Sequence, residues 1–418
     1  MRTVLIISRY FPPRFDVGGK RAWRFARYLP AHGWRPVVMT SKEPPEDRRD
    51  PTPLNLPAEA LVFRDYMPHD HQDTARMSEP TSARPVRKRR EGRKIVWPVD
   101  GEARLAIAAG FRAARHAREV GADVIFATSS PYSVLLAGTI AAALTRLPLV
   151  LDLRDPWSLN YLSANRPNWA RRLDAGVEHH FFRRADKVLL TCASAANAYR
   201  ARYPDLPAGH IQSITNSFDP VFAPAGASPR PQKVRLLHFG SVYGKRTLRP
   251  VLEAIASLPD EVRDGLELLN LGRVSEEDVA LAASLGVSEQ LRWRGAVPYA
   301  EGVELLAAAD LQVLLAYGDE TLFLPAKLFD YLMTGAPILC VSEPSELTEI
   351  IEETRAGRWA RATDVVGVAS IIRAAVDARR TGTPLTNPET SAISRYAAPA
   401  TTRALARVLD EVCGPPGT

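Results

Sequence analysis

Along most of the chain, short apolar runs alternate with segments in which apolar residues recur every three or four positions. In the first half the runs are Thr3–Ser8, Pro36–Thr40, Val124–Ala127, Leu147–Leu153, Val188–Thr191 and His210–Ile214. Between the first two, Ala22, Phe25, Ala26 and Leu29 fall at i, i+3, i+4 and i+7, the apolar stripe of a helix. The second half restarts the rhythm. Strands are expected at Val234–Phe239, Leu266–Leu271, Leu291–Trp293, Leu311–Ala316 and Pro337–Val341, with helices near Val251–Leu258, Ala300–Ala308 and Lys327–Thr334. This alternation predicts parallel sheets covered by helices, an α/β fold.

The rhythm breaks twice. From Ala223 to Gln232, Pro, Gly, Ala and Ser replace the periodic pattern, which marks a linker. From Lys42 to Lys94, Pro, Asp, Glu and Arg abound and a single strand, Leu61–Arg64, stands out, so an irregular insertion is expected over about residues 42–95. The chain then divides into an N-terminal domain (1–222), a linker (223–232), a C-terminal domain (233–390) and a terminal helix (391–418) that returns to the first domain. Its 418 residues exceed what one core usually organises. A cleft between two such domains would face the C-terminal ends of both sheets, where open α/β sheets bind ligands.

Composition changes this picture little, since 46% hydrophobic and 24% charged residues describe an ordinary globular protein. Charge adds more. The 54 Lys plus Arg exceed the 47 Asp plus Glu, a formal +7 that suits a nucleotide diphosphate, an anionic lipid surface or nucleic acid. Nucleic acid is disfavoured, because the basic run Arg84, Arg87, Lys88, Arg89, Arg90, Arg93 and Lys94 has no interleaved aromatics. Two readings of that run stay open: a solvated insertion, or a basic loop held at an anionic membrane or an acceptor pyrophosphate.

Cys192, Cys340 and Cys413 are too few and too scattered for a disulfide framework or a zinc site, and a cytoplasmic setting fits. The apolar start of the chain meets Arg9 too soon for a signal peptide. No stretch reaches the roughly 18–20 apolar residues of a membrane span, so contact with the membrane's inner face would be peripheral. His69 and His71 have no further ligand set beside them, and no metal is expected.

Candidate chemistry lies where cations stand at helix starts. A helix N-terminus carries positive partial charge and unpaired amide donors, so Lys or Arg there is unfavourable unless an anion joins it. After the first strand, Gly18 and Gly19 stand just ahead of a helix that opens with Lys20 and Arg21. After the first strand of the second half, Gly240 and Gly244 frame a loop holding Ser241, and Lys245, Arg246 and Arg249 crowd the next helix start. In Leu324-Pro-Ala-Lys-Leu-Phe-Asp-Tyr, Pro325 suits the first helical position and puts Lys327 in the first turn; an ion pair with Asp330 competes with a phosphate role. Asp152-Leu-Arg-Asp-Pro-Trp ends an apolar strand, so Asp152, Arg154 and Asp155 are expected at the cleft edge, as an N-cap or a domain-bracing ion pair or as functional groups.

These residues, in this order and spacing, resemble the family-four class of glycosyltransferases with the GT-B fold, and more narrowly the bacterial branch that builds surface polysaccharides and glycoconjugates. The resemblance runs through Phe11-Pro-Pro to Gly18-Gly19, Asp152-Leu-Arg-Asp-Pro-Trp, Glu178 with Ala185-Asp186, Thr215-Asn-Ser-Phe-Asp219, Gly240 to Arg246, Gly295-Ala-Val-Pro298, Ala309-Asp310 and Pro325-Ala-Lys-Leu-Phe-Asp-Tyr. It implies two doubly wound Rossmann-like domains facing across a cleft and retaining transfer from a nucleotide-diphosphate sugar to a glycan, lipid-linked or small-molecule acceptor, with no metal and no cofactor. Arg246 and Lys327 would stabilise the leaving diphosphate, with Asp155 the third catalytic residue. Donor contacts would come from Gly18, Gly19, Gly240, Ser241, Lys245, Val297, Pro298, Asp330 and Glu320. Arg154, Asp152 and Asn216 would lie on the acceptor side.

Departures from the family pattern bear on the sugar. The first glutamate of its paired motif falls at Leu322, with Asp319 or Glu320 as substitutes, and the usual Asn-Gly-x-Asp reads Asn216-Ser-Phe-Asp219. Two other readings stay open: a nucleotide-sugar 2-epimerase, against which the His-poor cleft argues, and a non-catalytic partner-binding subunit.

Overall fold

The computed structural model describes residues 1–13, 17–44, 49, 54–66, 99–160, 166–224, 231–242, 247–317 and 322–414. They build two parallel sheets. The first comprises β1 (Arg2–Ser8), β2 (Trp34–Met39), β3 (Leu61–Phe63), β4 (Val124–Thr128), β5 (Leu149–Leu153), β6 (Lys187–Leu190) and β7 (Ile211–Ser213), in the order β3-β2-β1-β4-β5-β6-β7. The second comprises β8 (Val234–Phe239), β9 (Leu266–Leu271), β10 (Leu291–Arg294), β11 (Leu311–Ala316), β12 (Ile338–Ser342) and β13 (Gly357–Ala360), in the order β10-β9-β8-β11-β12-β13.

The helices of the first half are α1 (Val17–Tyr28), α2 (Ala103–Val120), α3 (Ser133–Thr145), α4 (Asn168–Arg184) and α5 (Ala193–Arg202). In the second half they are α6 (Arg249–Ala256), α7 (Asp260–Arg263), α8 (Glu276–Ser284), α9 (Tyr299–Ala307), α10 (Ala326–Thr334), α11 (Glu346–Thr354), α12 (Val365–Thr381), α13 (Thr390–Ser394) and α14 (Ala398–Cys413). Both sheets are doubly wound, as the α/β reading anticipated.

Central strands carry apolar residues on both faces because helices cover both. On one face of the first sheet, Trp23, Phe25 and Ala26 of α1 pack with Trp34, Phe126 and Leu405. Each large side chain so buried contributes about 1.5–3 kcal/mol. The other face is covered by α2, α3 and α5 through Ala109, Ala113, Ala137 and Tyr199, and this core continues into the second half through Leu237, Leu328 and Phe329. The last helix, α14, lies on the first domain: Trp34 donates to Asp410 (3.1 Å), Lys187 pairs with Glu411 (2.5 Å) and Arg2 donates to the Gly414 carbonyl (2.8 Å).

Strand order reverses beside β1 in one sheet and beside β8 in the other. These are the switch points at which open sheets leave a crevice beyond the strand ends. The loops that follow β1 and β8 are the two glycine- and cation-rich segments singled out above. No helix of the described residues is long and apolar enough to cross a membrane.

Candidate active site

The first helix does not begin after its glycines. Gly18 and Gly19 lie inside the first turn of α1, so Lys20, Arg21 and Arg24 sit one to two turns in, Lys20 and Arg24 opposite the Ala22–Phe25–Ala26 stripe and Arg21 at its margin, over the Phe25 ring. Arg21 (4% exposed) is buried by groups of the first domain, whereas Arg24 (5% exposed) lies between the first domain and Asp330 of the second.

Arg21 uses its fork on one carboxylate. Its Nε and Nη2 donate to the two oxygens of Asp152 at 2.9 and 2.8 Å, and further N–H groups reach the carbonyls of Ile214 (2.9 Å) and Thr215 (2.8 Å). Thr128 adds a bond to the same carboxylate at 2.6 Å. Asp152 is therefore wholly buried within β5 and not at the cleft edge where it was expected. The reason is tertiary: α1 lies across the end of β5 and seals it with a bidentate pair.

The second helix of the site, α10, begins one residue later than Pro325 suggested, with Pro325 as its extended N-cap and no side chain capping it. Lys327 is its second residue, and no acidic residue lies in that turn. Its Nζ is 3.2 Å from Nε2 of His238, while Nδ1 of His238 is 2.8 Å from the Val313 carbonyl. Gly240 adopts φ +130°, and a Cβ there would collide with the Lys327 ammonium.

One turn further along α10, Asp330 faces the first domain. It accepts from the Tyr299 hydroxyl at 2.7 Å and lies 3.7 Å from Lys20 and 3.8 Å from Arg24, while Lys20 sits 3.5 Å above the Tyr299 ring. Burial, then the Asp330 charge, pushes the Tyr299 hydroxyl well above the usual phenol range, so it stays a donor. Arg24 also donates to the Ser217 carbonyl; its Nε and Nη2 are buried without a hydrogen-bond acceptor. A cleft pocket is lined by Lys20, Arg21, Arg24, Asn216, Ala326, Lys327 and Asp330. Four cations and one carboxylate around one pocket favour an anionic ligand.

Other predicted residues take different places. Arg154 is partly buried and donates to the carbonyls of Ser129 and Ser130, and Asp155 is partly exposed beside it. The loop after β5 is braced by Glu178, which accepts from the Ser158 amide (2.8 Å) and from the hydroxyls of Ser158, Tyr199 and Tyr203. Burial raises that carboxyl above the usual carboxylate range. Ser241 accepts from the Arg273 amide at 3.2 Å. Val297 packs on the core, whereas Pro298 is exposed and caps α9.

Leu322, at the position of the expected glutamate, packs against the core, and its carbonyl accepts from Cys192 at 3.2 Å. Arg249 forms an exposed pair with Glu253 (3.0 Å) along α6, one turn apart. Lys245, Arg246, Glu320, the stretch Arg84 to Lys94, and His69 and His71 lie outside the described residues. The sequence reading missed Arg24, Tyr299 and His238. The i, i+4 cation pair at 20 and 24, opposite the apolar stripe, was the available signal for Arg24; nothing local marks the other two.

Residues 18–222 match the family model described as Glycosyltransferase Family 4. Among curated proteins none matches the sequence. Solved structures similar over nearly the full length include a glycosyltransferase from Rickettsia africae ESF-5, with TM-score 0.63, 11% identity and 98% of each chain covered. Anabaena Alr3699/HepE in complex with UDP aligns with TM-score 0.62 and 16% identity over 98% of this chain and 100% of that one. WaaG, a glycosyltransferase involved in lipopolysaccharide biosynthesis, aligns with TM-score 0.55 and 17% identity over 99% and 100%. At such identities the likeness is one of fold.

Proposed function

We propose, for a chain whose residues 18–222 belong to glycosyltransferase family 4 and whose two sheets have the GT-B architecture, that it moves a sugar from a nucleotide-diphosphate donor to a glycan or lipid-linked acceptor with retention of anomeric configuration. The observation that carries this reading is the convergence of Lys20, Arg24 and Lys327 on one pocket beyond the ends of the central strands. Breaking the bond between sugar and diphosphate builds negative charge on the leaving oxygen. Fixed cations stabilise that charge more in the transition state than in the bound donor, which is the condition for catalysis.

In this reading Lys327, with Arg246, takes the diphosphate, and no metal is needed to neutralise it. Gly18, Gly19, Gly240, Ser241 and Lys245 would let backbone and charge approach the phosphates. Val297, Pro298, Asp330 and Glu320 would hold the nucleoside and sugar. Asp155 would be the third catalytic residue and Arg154 and Asn216 would face the acceptor, with Asp152 acting through Arg21 instead of by contact. The structure of HepE with UDP-glucose and the role of WaaG in lipopolysaccharide synthesis support a nucleotide-sugar donor and a surface-glycan acceptor for this chain. Contact between Arg84–Lys94 and an anionic membrane would bring such an acceptor to the cleft.

The test is to incubate the protein with UDP-, GDP-, dTDP- and ADP-sugars, with and without EDTA, and follow the anomeric protons by NMR. The expected result is consumption of one donor class, unchanged by EDTA, with the product keeping the donor's anomeric configuration. Inversion or loss of activity in EDTA would overturn the corresponding part of the reading. A new nucleotide sugar without transfer would point to epimerisation.

A further inference from the structure

His238 lies in β8, two residues before Gly240, and is 2% exposed. Its ring joins two elements: Nδ1 is 2.8 Å from the Val313 carbonyl in the adjacent β11, and Nε2 is 3.2 Å from Nζ of Lys327 in α10. A carbonyl can only accept, so Nδ1 carries the hydrogen. The neutral ring then has its lone pair on Nε2, and that lone pair accepts from the Lys327 ammonium.

We infer that His238 is the positioning residue of Lys327: its Nε2 orients the ammonium toward the interdomain pocket without cancelling the charge. This rests on the reading of Lys327 as a ligand of the donor diphosphate. A lysine on a flexible four-carbon stem must give up rotamer freedom to hold an anion, and fixing it beforehand removes that cost from binding. An imidazole lone pair fixes the ammonium without itself cancelling the charge that the diphosphate needs. Gly240 completes the arrangement, since any side chain there would occupy the volume of the Lys327 ammonium.

Two substitutions separate positioning from a structural tie. Asn in place of His238 can reproduce the Nδ1 donor to Val313 but not the Nε2 acceptor; Gln can reproduce the acceptor to Lys327 but not the donor. Affinities for UDP, GDP, dTDP and ADP are measured by titration calorimetry on wild type, Lys327→Ala, His238→Asn, His238→Gln and the double variant Lys327→Ala/His238→Asn. For the nucleotide that binds wild type, Lys327→Ala should weaken binding by about 30-fold or more and His238→Asn by about tenfold. His238→Gln should stay within about threefold, and His238→Asn should cost nothing further once Lys327 is gone, because coupled residues are not additive. A better-binding Asn than Gln variant, or an equal His238→Asn loss with and without Lys327, overturns the positioning role while leaving the diphosphate role of Lys327 standing. Undiminished binding in Lys327→Ala, or no nucleotide binding at all, overturns both.

Discussion

Arg21 and Lys327 occupy comparable places in the two halves: each is a cation near the start of a helix that meets the end of a central strand. Their surroundings differ. Arg21 gives both arms of its fork to Asp152 and more donors to two carbonyls, all deep within the first domain. Lys327 leans on a neutral imidazole and lines the pocket between the domains. A buried cation matched by a carboxylate is scaffold, whereas a neutral acceptor orients a cation without cancelling its charge. The sequence shows two similar cations, and only the partners tell them apart.

The contrast breaks most easily at Arg21. Replacing it with Ala leaves the Asp152 carboxylate buried and uncompensated, a loss of about 3–5 kcal/mol in urea unfolding. A loss below about 1 kcal/mol would mean that the pair is not the scaffold described. Next in size is Gly240→Ala, which forces φ +130° on an L side chain and displaces Lys327. It should cost about 1–3 kcal/mol and weaken nucleotide binding as well.

Glu178→Gln sharpens the contrast through pH. Burial raises the Glu178 carboxyl, so between its unfolded and folded pKa values the folded state binds more protons and stability falls as pH rises. Gln does not titrate. The melting temperature of Glu178→Gln relative to wild type should therefore climb with increasing pH above about 4.3, the ordinary glutamate value; a flat difference would contradict the assignment. The smallest effect belongs to Arg249→Ala. Its exposed pair with Glu253 should be worth under about 0.5 kcal/mol, and nucleotide affinity should stay close to wild type.

The periodic pattern located the sheets well, because the central strands are continuous apolar runs. The bounds of β8, β9 and β11 coincide with the expected ones. The edge strand β13 escaped because Gly-Arg-Trp-Ala is short and half polar, with only one neighbour to bury it. At the site, Lys327 in a first turn and Asp330 nearby were legible from spacing along one helix. The burial of Arg24, the sealing of Asp152 and the reach of His238 from one sheet to α10 were not. Those depend on what lies opposite a helix face, and one-dimensional spacing carries no record of the partner.

The most direct test of the central claim is a thermal-shift titration of wild type and Lys327→Ala with UDP-, GDP-, dTDP- and ADP-sugars. A ligand that binds only the native state at about 100 times its Kd adds about 2.7 kcal/mol, a readable rise in Tm. One nucleotide class should raise the wild-type Tm by a few degrees, Lys327→Ala should lose most of that rise, and the two proteins should melt alike without ligand. If every nucleotide sugar leaves the folded wild type unshifted, or if Lys327→Ala shifts as much as wild type, the pocket at the ends of β1 and β8 is not a diphosphate site held by Lys327.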